Sequence, residues 1–101
     1  MNRTEVTFVR IYLTEGEGRM TALLARLHDE EQVQGVTVFR GISGFGASGK
    51  VHSSTLLDMS LDLPLVIEFF DTPGRVDTIL EHIHADFEPG HIVSWPATLV
   101  V

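Results

Sequence analysis

The sequence of 101 residues predicts an α+β fold of order βαββαβ, on three observations. Two stretches, Val6 to Leu13 and Leu65 to Phe70, alternate in the period of two that marks a strand with distinct faces. Each is followed by a stretch whose apolar residues recur at helical spacing. Each helical stretch leads into a further strand-like segment. This is the ferredoxin-like split βαβ arrangement, an antiparallel sheet with two helices on one face. A chain of this length suits one core, so residues 1–101 read as a single domain.

The elements follow in order. In "VTFVRIYL", Val9, Ile11 and Leu13 point one way and Phe8, Arg10 and Tyr12 the other. The glycine-containing turn "TEGEGR" follows. Met20, Leu23, Leu24 and Leu27 fall at i, i+3, i+4 and i+7, one apolar face of a helix. Gln32 to Gly35 connects to the strand "VTVFR". A long connection runs from Gly41 to Pro64 before "LVIEFF". Thr72 stands where a helix is capped, and Pro73 where a first helical residue tolerates proline. Val76, Ile79, Leu80, Ile83 and Phe87 form the second helical face, with Gly90 as its stop. "HIVSW" and "ATLVV" supply one or two final strands, interrupted by Pro96.

Charge narrows the function classes. Acids outnumber Lys and Arg by 14 to 7, a net charge of −7, which argues against DNA or RNA as the main partner. No apolar run approaches the roughly 20 residues of a membrane-spanning helix. The N-terminal stretch does not read as a secretory signal, and there is no cysteine. Disulfides and cysteine-ligated metals are thereby excluded, and the expectation is a cytoplasmic protein.

The stretch "RGISGFGASGKVHSS" fits two phosphate-binding signatures. Gly44-Phe45-Gly46-Ala47-Ser48-Gly49 matches GxGxxG, and Gly44 with Gly49 and Lys50 matches GxxxxGK. Both signatures need a long helix directly afterwards, and none is predicted after Gly49. A P-loop further needs Ser or Thr after its lysine, where Val51 stands. Neither family fits. Anion binding in general is a separate matter. From Gln32 to Leu57 the chain has no Asp or Glu, while Arg40, Lys50 and His52 lie inside that span. Glycines there allow backbone amides to converge on an anion. The alternative is a hairpin connection whose glycines serve only turns.

The middle of the chain also resembles a known family. Arg40-Gly41-Ile42, Gly44-Phe45-Gly46, His52-Ser53, Leu57, Ser60, Asp62-Leu63-Pro64 and Glu68 with Asp71 match PII-like proteins of the domain-of-unknown-function family one hundred and ninety. "RIYLTE" near the N-terminus also fits. The resemblance implies a homotrimer with its sheets around a central axis. It implies a T-loop after the second strand that engages ligands and targets, and adenine nucleotides or related small anionic ligands in clefts between subunits. On that reading Gly44, Phe45 and Gly46 form the base of the loop. Ala47 and Ser48 take places where PII proper has Arg and Gln. Gly90 and His91 lie in the second phosphate-contacting loop. That loop and the C-terminus lack the basic residues of PII proper. Those departures count against a triphosphate; a ligand with less charge, such as a monophosphate or cyclic nucleotide, or no nucleotide at all, stays open.

The charge pattern and the resemblance together point to a non-enzymatic regulator whose expected ligand-binding residues are Arg40, Gly41, Gly44, Phe45, Gly46, Ala47, Ser48, Gly49, Lys50, His52, Gly90 and His91. A second reading is a ligand-independent interaction subunit of a membrane transporter or channel. A third is a small ferredoxin-like enzyme, although no nucleophile or tuned pair stands near Glu68 in sequence. His82 and His84 lie two apart on a helix, a poor metal pair, and no metal site is expected. Arg10 and Glu68 are expected to pair across central antiparallel strands, within an apolar row of Phe8, Tyr12, Val66 and Phe70. Such a face predicts an oligomer.

Overall fold

The computed structural model describes residues 1–15, 18–46, 49, 51–53 and 63–101. Strand β1 (Arg3–Thr14) leads to helix α1 (Arg19–Ala25), which continues into a π-helical turn (Arg26–Glu30). Then come β2 (Val36–Arg40), two short strands β3 (Ser43–Phe45) and β4 (Val51–Ser53), and β5 (Pro64–Asp71). Helix α2 (Pro73–Ile83), a 3₁₀ turn (His84–Asp86) and β6 (Ile92–Val100) complete the order. The main sheet has the order β2-β5-β1-β6, every neighbour antiparallel, which is the ferredoxin-like topology the alternation predicts.

Side-chain parity sets the two layers. Val9, Ile11 and Leu13 of β1 and Leu65, Ile67 and Phe69 of β5 share one face of the sheet. They are buried there with Leu23 and Leu27 from the first helical segment and Val76, Ile79 and Ile83 from α2. Both helices therefore cover the same face, as expected. The opposite parity puts Phe8 against Phe70, Arg10 against Glu68 and Tyr12 against Val66, the predicted register.

Local details depart from the sequence reading for identifiable reasons. Thr72 holds the N-cap position of α2 but makes no side-chain capping bond. Its N–H donates instead to Asp71 Oδ1 at 2.7 Å, and Asp71 Oδ2 accepts from Arg75 Nε at 3.1 Å. A carboxylate one residue earlier thus serves the helix start, where its charge also suits the dipole. Gly90 does not stop the helix, since α2 ends at Ile83. With φ at +90°, Gly90 turns the chain into β6.

Pro96 does not divide the last strand. Asn2 and Val101 exchange both backbone hydrogen bonds, at 2.9 and 2.8 Å, and Tyr12 N–H donates to the His91 carbonyl at 2.9 Å. Counting by twos from those pairs, the Thr7–Pro96 pair is a non-hydrogen-bonded one. The proline nitrogen therefore points away from β1, and on an edge strand its missing N–H breaks no ladder bond. Among the described residues, no helix is long and apolar enough to cross a membrane.

Candidate functional site

The candidate residues begin where β2 ends. Gly41 N–H donates to the Pro64 carbonyl at 2.7 Å, which ties the two ends of the long connection together. A Cβ on Gly41 would sit 2.7 Å from Pro64 Cγ and 3.3 Å from Pro64 O. A stiff ring and a backbone oxygen cannot both give way, so this glycine is required by close approach. Gly46 differs: among the described residues, a Cβ there would meet nothing within 4 Å. Gly41→Ala is expected to lower stability by about 1–3 kcal/mol, and Gly46→Ala to stay within about 0.5 kcal/mol. Urea unfolding of both variants checks the contrast.

From this stem rises a hairpin, within what the sequence reads as one long connection. Ser43 pairs with Ser53, Gly44 with His52, and Phe45 with Val51. Gly49, at φ +76°, donates its N–H to the Gly46 carbonyl at 2.9 Å. Ile42, Phe45 and Val51 are exposed apolar residues around this hairpin. Ala47, Ser48 and Lys50 of the expected site lie outside the described residues.

Charge at the stem is already matched. Arg40 Nη2 lies 2.9 Å from the carboxylate of Glu15, which follows β1. The same carboxylate accepts the Leu63 N–H at 3.4 Å, and Glu15 N–H donates to the Leu63 carbonyl at 2.8 Å. One acidic residue thus holds both Arg40 at the entry and Leu63 at the exit of the connection. Composition and periodicity did not point to Glu15. The signal available was its place at the end of "RIYLTE", which took part in the family resemblance.

Gly90 and His91 stand elsewhere. His91 joins the ladder beside Tyr12, where β6 enters the sheet, whereas Arg40 pairs with Leu65 on β5. Both groups are at the same end of the sheet but on its opposite edges, since β5 and β1 lie between them. Three strand spacings separate those edges, roughly 14 Å. Among the described residues, a single chain does not bring the two halves of the expected site together. Two open grooves, of about 410 Å³ beside His28, Asp29 and Val33 and about 270 Å³ beside Arg26 and Phe87, contain none of the expected residues. Among the described residues, no group of three or more His, Asp or Glu is placed to hold a metal.

The open sheet face is the other conspicuous surface. Phe8 lies 5.1 Å from the Phe70 ring and stacks on Trp95 at 5.5 Å. Arg10 lies over Trp95 at 5.5 Å, and its Nη2 donates to Glu68 Oε1 at 3.2 Å. Hydrogen bonds with Tyr12 and Glu68 raise the Arg10 pKa above its ordinary value. Its Nε is enclosed without a hydrogen-bond partner among the described residues.

Comparison with known proteins agrees with the fold. CPII, a nitrogen regulatory PII-like protein from Thiomonas intermedia K12 solved with ADP, AMP and bicarbonate, is similar with a TM-score of 0.68 and 20% identity, covering 97% of this chain and 89% of that one. A putative PII-like signaling protein from Thermus thermophilus is similar with a TM-score of 0.66 and 14% identity, covering 98% of this chain and 91% of that one. A UPF0166 protein of Aquifex aeolicus (strain VF5) is 33% identical over 69 residues, which are 68% of this chain and 65% of that relative. The chain thus spans just under two thirds of that relative's length. Residues 6–99 match the model of the family DUF190, described as uncharacterized ACR, and with nearly the whole chain inside the match this protein belongs to that family.

Proposed function

We propose that this chain is a PII-like regulatory protein that assembles as a homotrimer and binds a small anionic ligand, an adenine nucleotide or a related molecule, in the clefts between subunits. One observation carries this reading: Arg40 and Gly41 lie at one edge of the sheet and Gly90 and His91 at the opposite edge of the same end. A ring of identical subunits brings one edge of each copy to the opposite edge of the next. Arg40 and the glycine hairpin of one subunit would then face Gly90 and His91 of its neighbour. The apolar open face around Phe8, Phe70 and Trp95 supplies the burial that drives such an assembly. The ligands of CPII support the class of molecule. The connection from residue 41 to 64 carries the signal, because ligand bound at its stem biases its conformation. No step of this function is catalytic.

Thermal shift with ADP, AMP, cyclic AMP and bicarbonate, alongside light scattering, tests the reading. A raised melting temperature with at least one probe and a mass of three subunits are expected. Lys50→Ala should weaken the responding nucleotide by about 1–3 kcal/mol through loss of a charge-assisted contact. A monomer that responds to none of the probes would overturn the proposal. A trimer that responds to none would favour a ligand-independent interaction subunit of a transporter or channel. The exposed Ile42, Phe45 and Val51 of the hairpin are the observation on that side.

A further inference from the structure

The arginines of this acidic chain are largely engaged by its own carboxylates. Arg10 meets Glu68, Arg26 meets Asp86 and Glu30, Arg75 meets Asp71, and Arg40 meets Glu15. Among these arginines, Arg40 stands at the root of the glycine hairpin. An anion arriving there does not find a vacant guanidinium; it finds Nη2 already 2.9 Å from both oxygens of a carboxylate, in a charge-assisted contact of the kind an oxyanion would make. The two partners differ in how they are held. The Arg40 side chain is 49% exposed, within reach of solvent, and Glu15 is 23% exposed, tucked against Leu63.

We infer that Glu15 is an internal competitor that sets this protein's affinity for anions. Its carboxylate occupies Arg40 in the free protein and leaves when an anionic ligand takes the guanidinium. The inference rests on the reading that an anion binds at the stem, and it adds the residue that tunes that binding. Displacement has a second consequence. The carboxylate that leaves Arg40 also leaves the Leu63 N–H, so occupancy at the entry of the connection is reported at its exit. The backbone bonds from Glu15 N–H to Leu63 and from Gly41 N–H to Pro64 do not involve the carboxylate. The stem therefore keeps its register while losing one of its ties. Discrimination also follows. Two negative charges compete for one guanidinium, so a ligand must gain more at the site than Glu15 does, which disfavours weakly charged molecules.

Calorimetric titration of wild type and Glu15→Gln with ADP, AMP, bicarbonate and inorganic phosphate tests this. The substitution keeps an acceptor oxygen and removes the charge, so the fold is expected to persist, which a thermal melt checks. Glu15→Gln should tighten binding of ADP roughly threefold to tenfold, the range for relieving a half-exposed ion pair. In wild type, ADP should speed hydrogen exchange at the Leu63 amide; in Glu15→Gln the ligand should leave that rate unchanged. Binding by wild type that the variant does not tighten, or that it weakens, overturns the role of Glu15 while leaving the binding reading intact. No heat from either protein with any of the four probes overturns both. Should Glu15→Gln melt far below wild type, Arg40→Gln replaces it. That variant should lose ADP affinity, and its Leu63 exchange should no longer respond to ligand. A full response in Arg40→Gln would equally sink the inference.

Discussion

Glu68→Ala is expected to take the proposed trimer apart while leaving each subunit folded. Arg10 and Glu68 face each other in register on the two central strands, 3.2 Å apart, with Trp95 beside the guanidinium. In the free chain the Arg10 side chain is 38% exposed and that of Glu68 is 16% exposed. Covering this face with a second copy would remove the remaining water from both. Truncating one partner of a pair inside an interface strands the other as a buried charge, and that loss greatly exceeds the net worth of the pair itself. The concentration at which the assembly dissociates should rise on the order of tenfold or more. Light scattering across a dilution series, read beside far-UV circular dichroism, measures both parts. Undiminished assembly of the variant, or a wild-type monomer at micromolar concentration, would rule out this face as the interface.

The next residue along the same strand gives the opposite result. Phe69 is 1% exposed and points into the layer between sheet and helices, among the side chains that include Ile11, Ile67 and Ile79. Phe69→Ala should destabilise the subunit by about 3–5 kcal/mol, because the lost transfer free energy is joined by an unfilled cavity. A small domain has little more than that to lose. Its urea midpoint should collapse, whereas that of dissociated Glu68→Ala should stay close to wild type. One step along β5 thus separates loss of assembly from loss of fold. Equal urea midpoints for the two variants would contradict the assignment of faces.

That assignment was legible before any coordinates because alternation is a local property. Leu65, Ile67 and Phe69 declare one parity, and Val66, Glu68 and Phe70 the other. An Arg and a Glu embedded in two apolar rows then suggest their own register. The second helix was readable for a similar reason: Val76, Ile79 and Ile83 repeat at helical spacing, and all three are buried. Other features lie beyond local pattern. Strands β3 and β4 have three residues each, too few for a period to emerge from a glycine-rich stretch. The π-helical turn at Arg26–Glu30 has no composition of its own. Glu15 gains its partners from positions 25 and 48 residues away, which spacing cannot disclose. At the site, the sequence singled out Arg40 and Gly41, and the structure adds why Gly41 cannot be larger. That Gly90 and His91 fall on the far edge follows from the predicted strand order, in which β1 and β5 are the central pair.

Pro96 has a consequence for how this protein can aggregate. On β6 the N–H groups at Ile92, Ser94, Thr98 and Val100 share the outward register with the proline nitrogen, so the free border of the sheet lacks a donor at its midpoint. An incoming strand, whether from a nascent chain or from a damaged neighbour, would find its hydrogen-bond ladder interrupted there. Growth by edge-to-edge stacking, the route to open-ended fibrils, is thereby discouraged on this side. Stickiness is concentrated instead on the broad aromatic face, where self-association can close on itself and come to an end. One imino acid in the outermost strand thus makes an indefinite, edge-paired assembly harder to build.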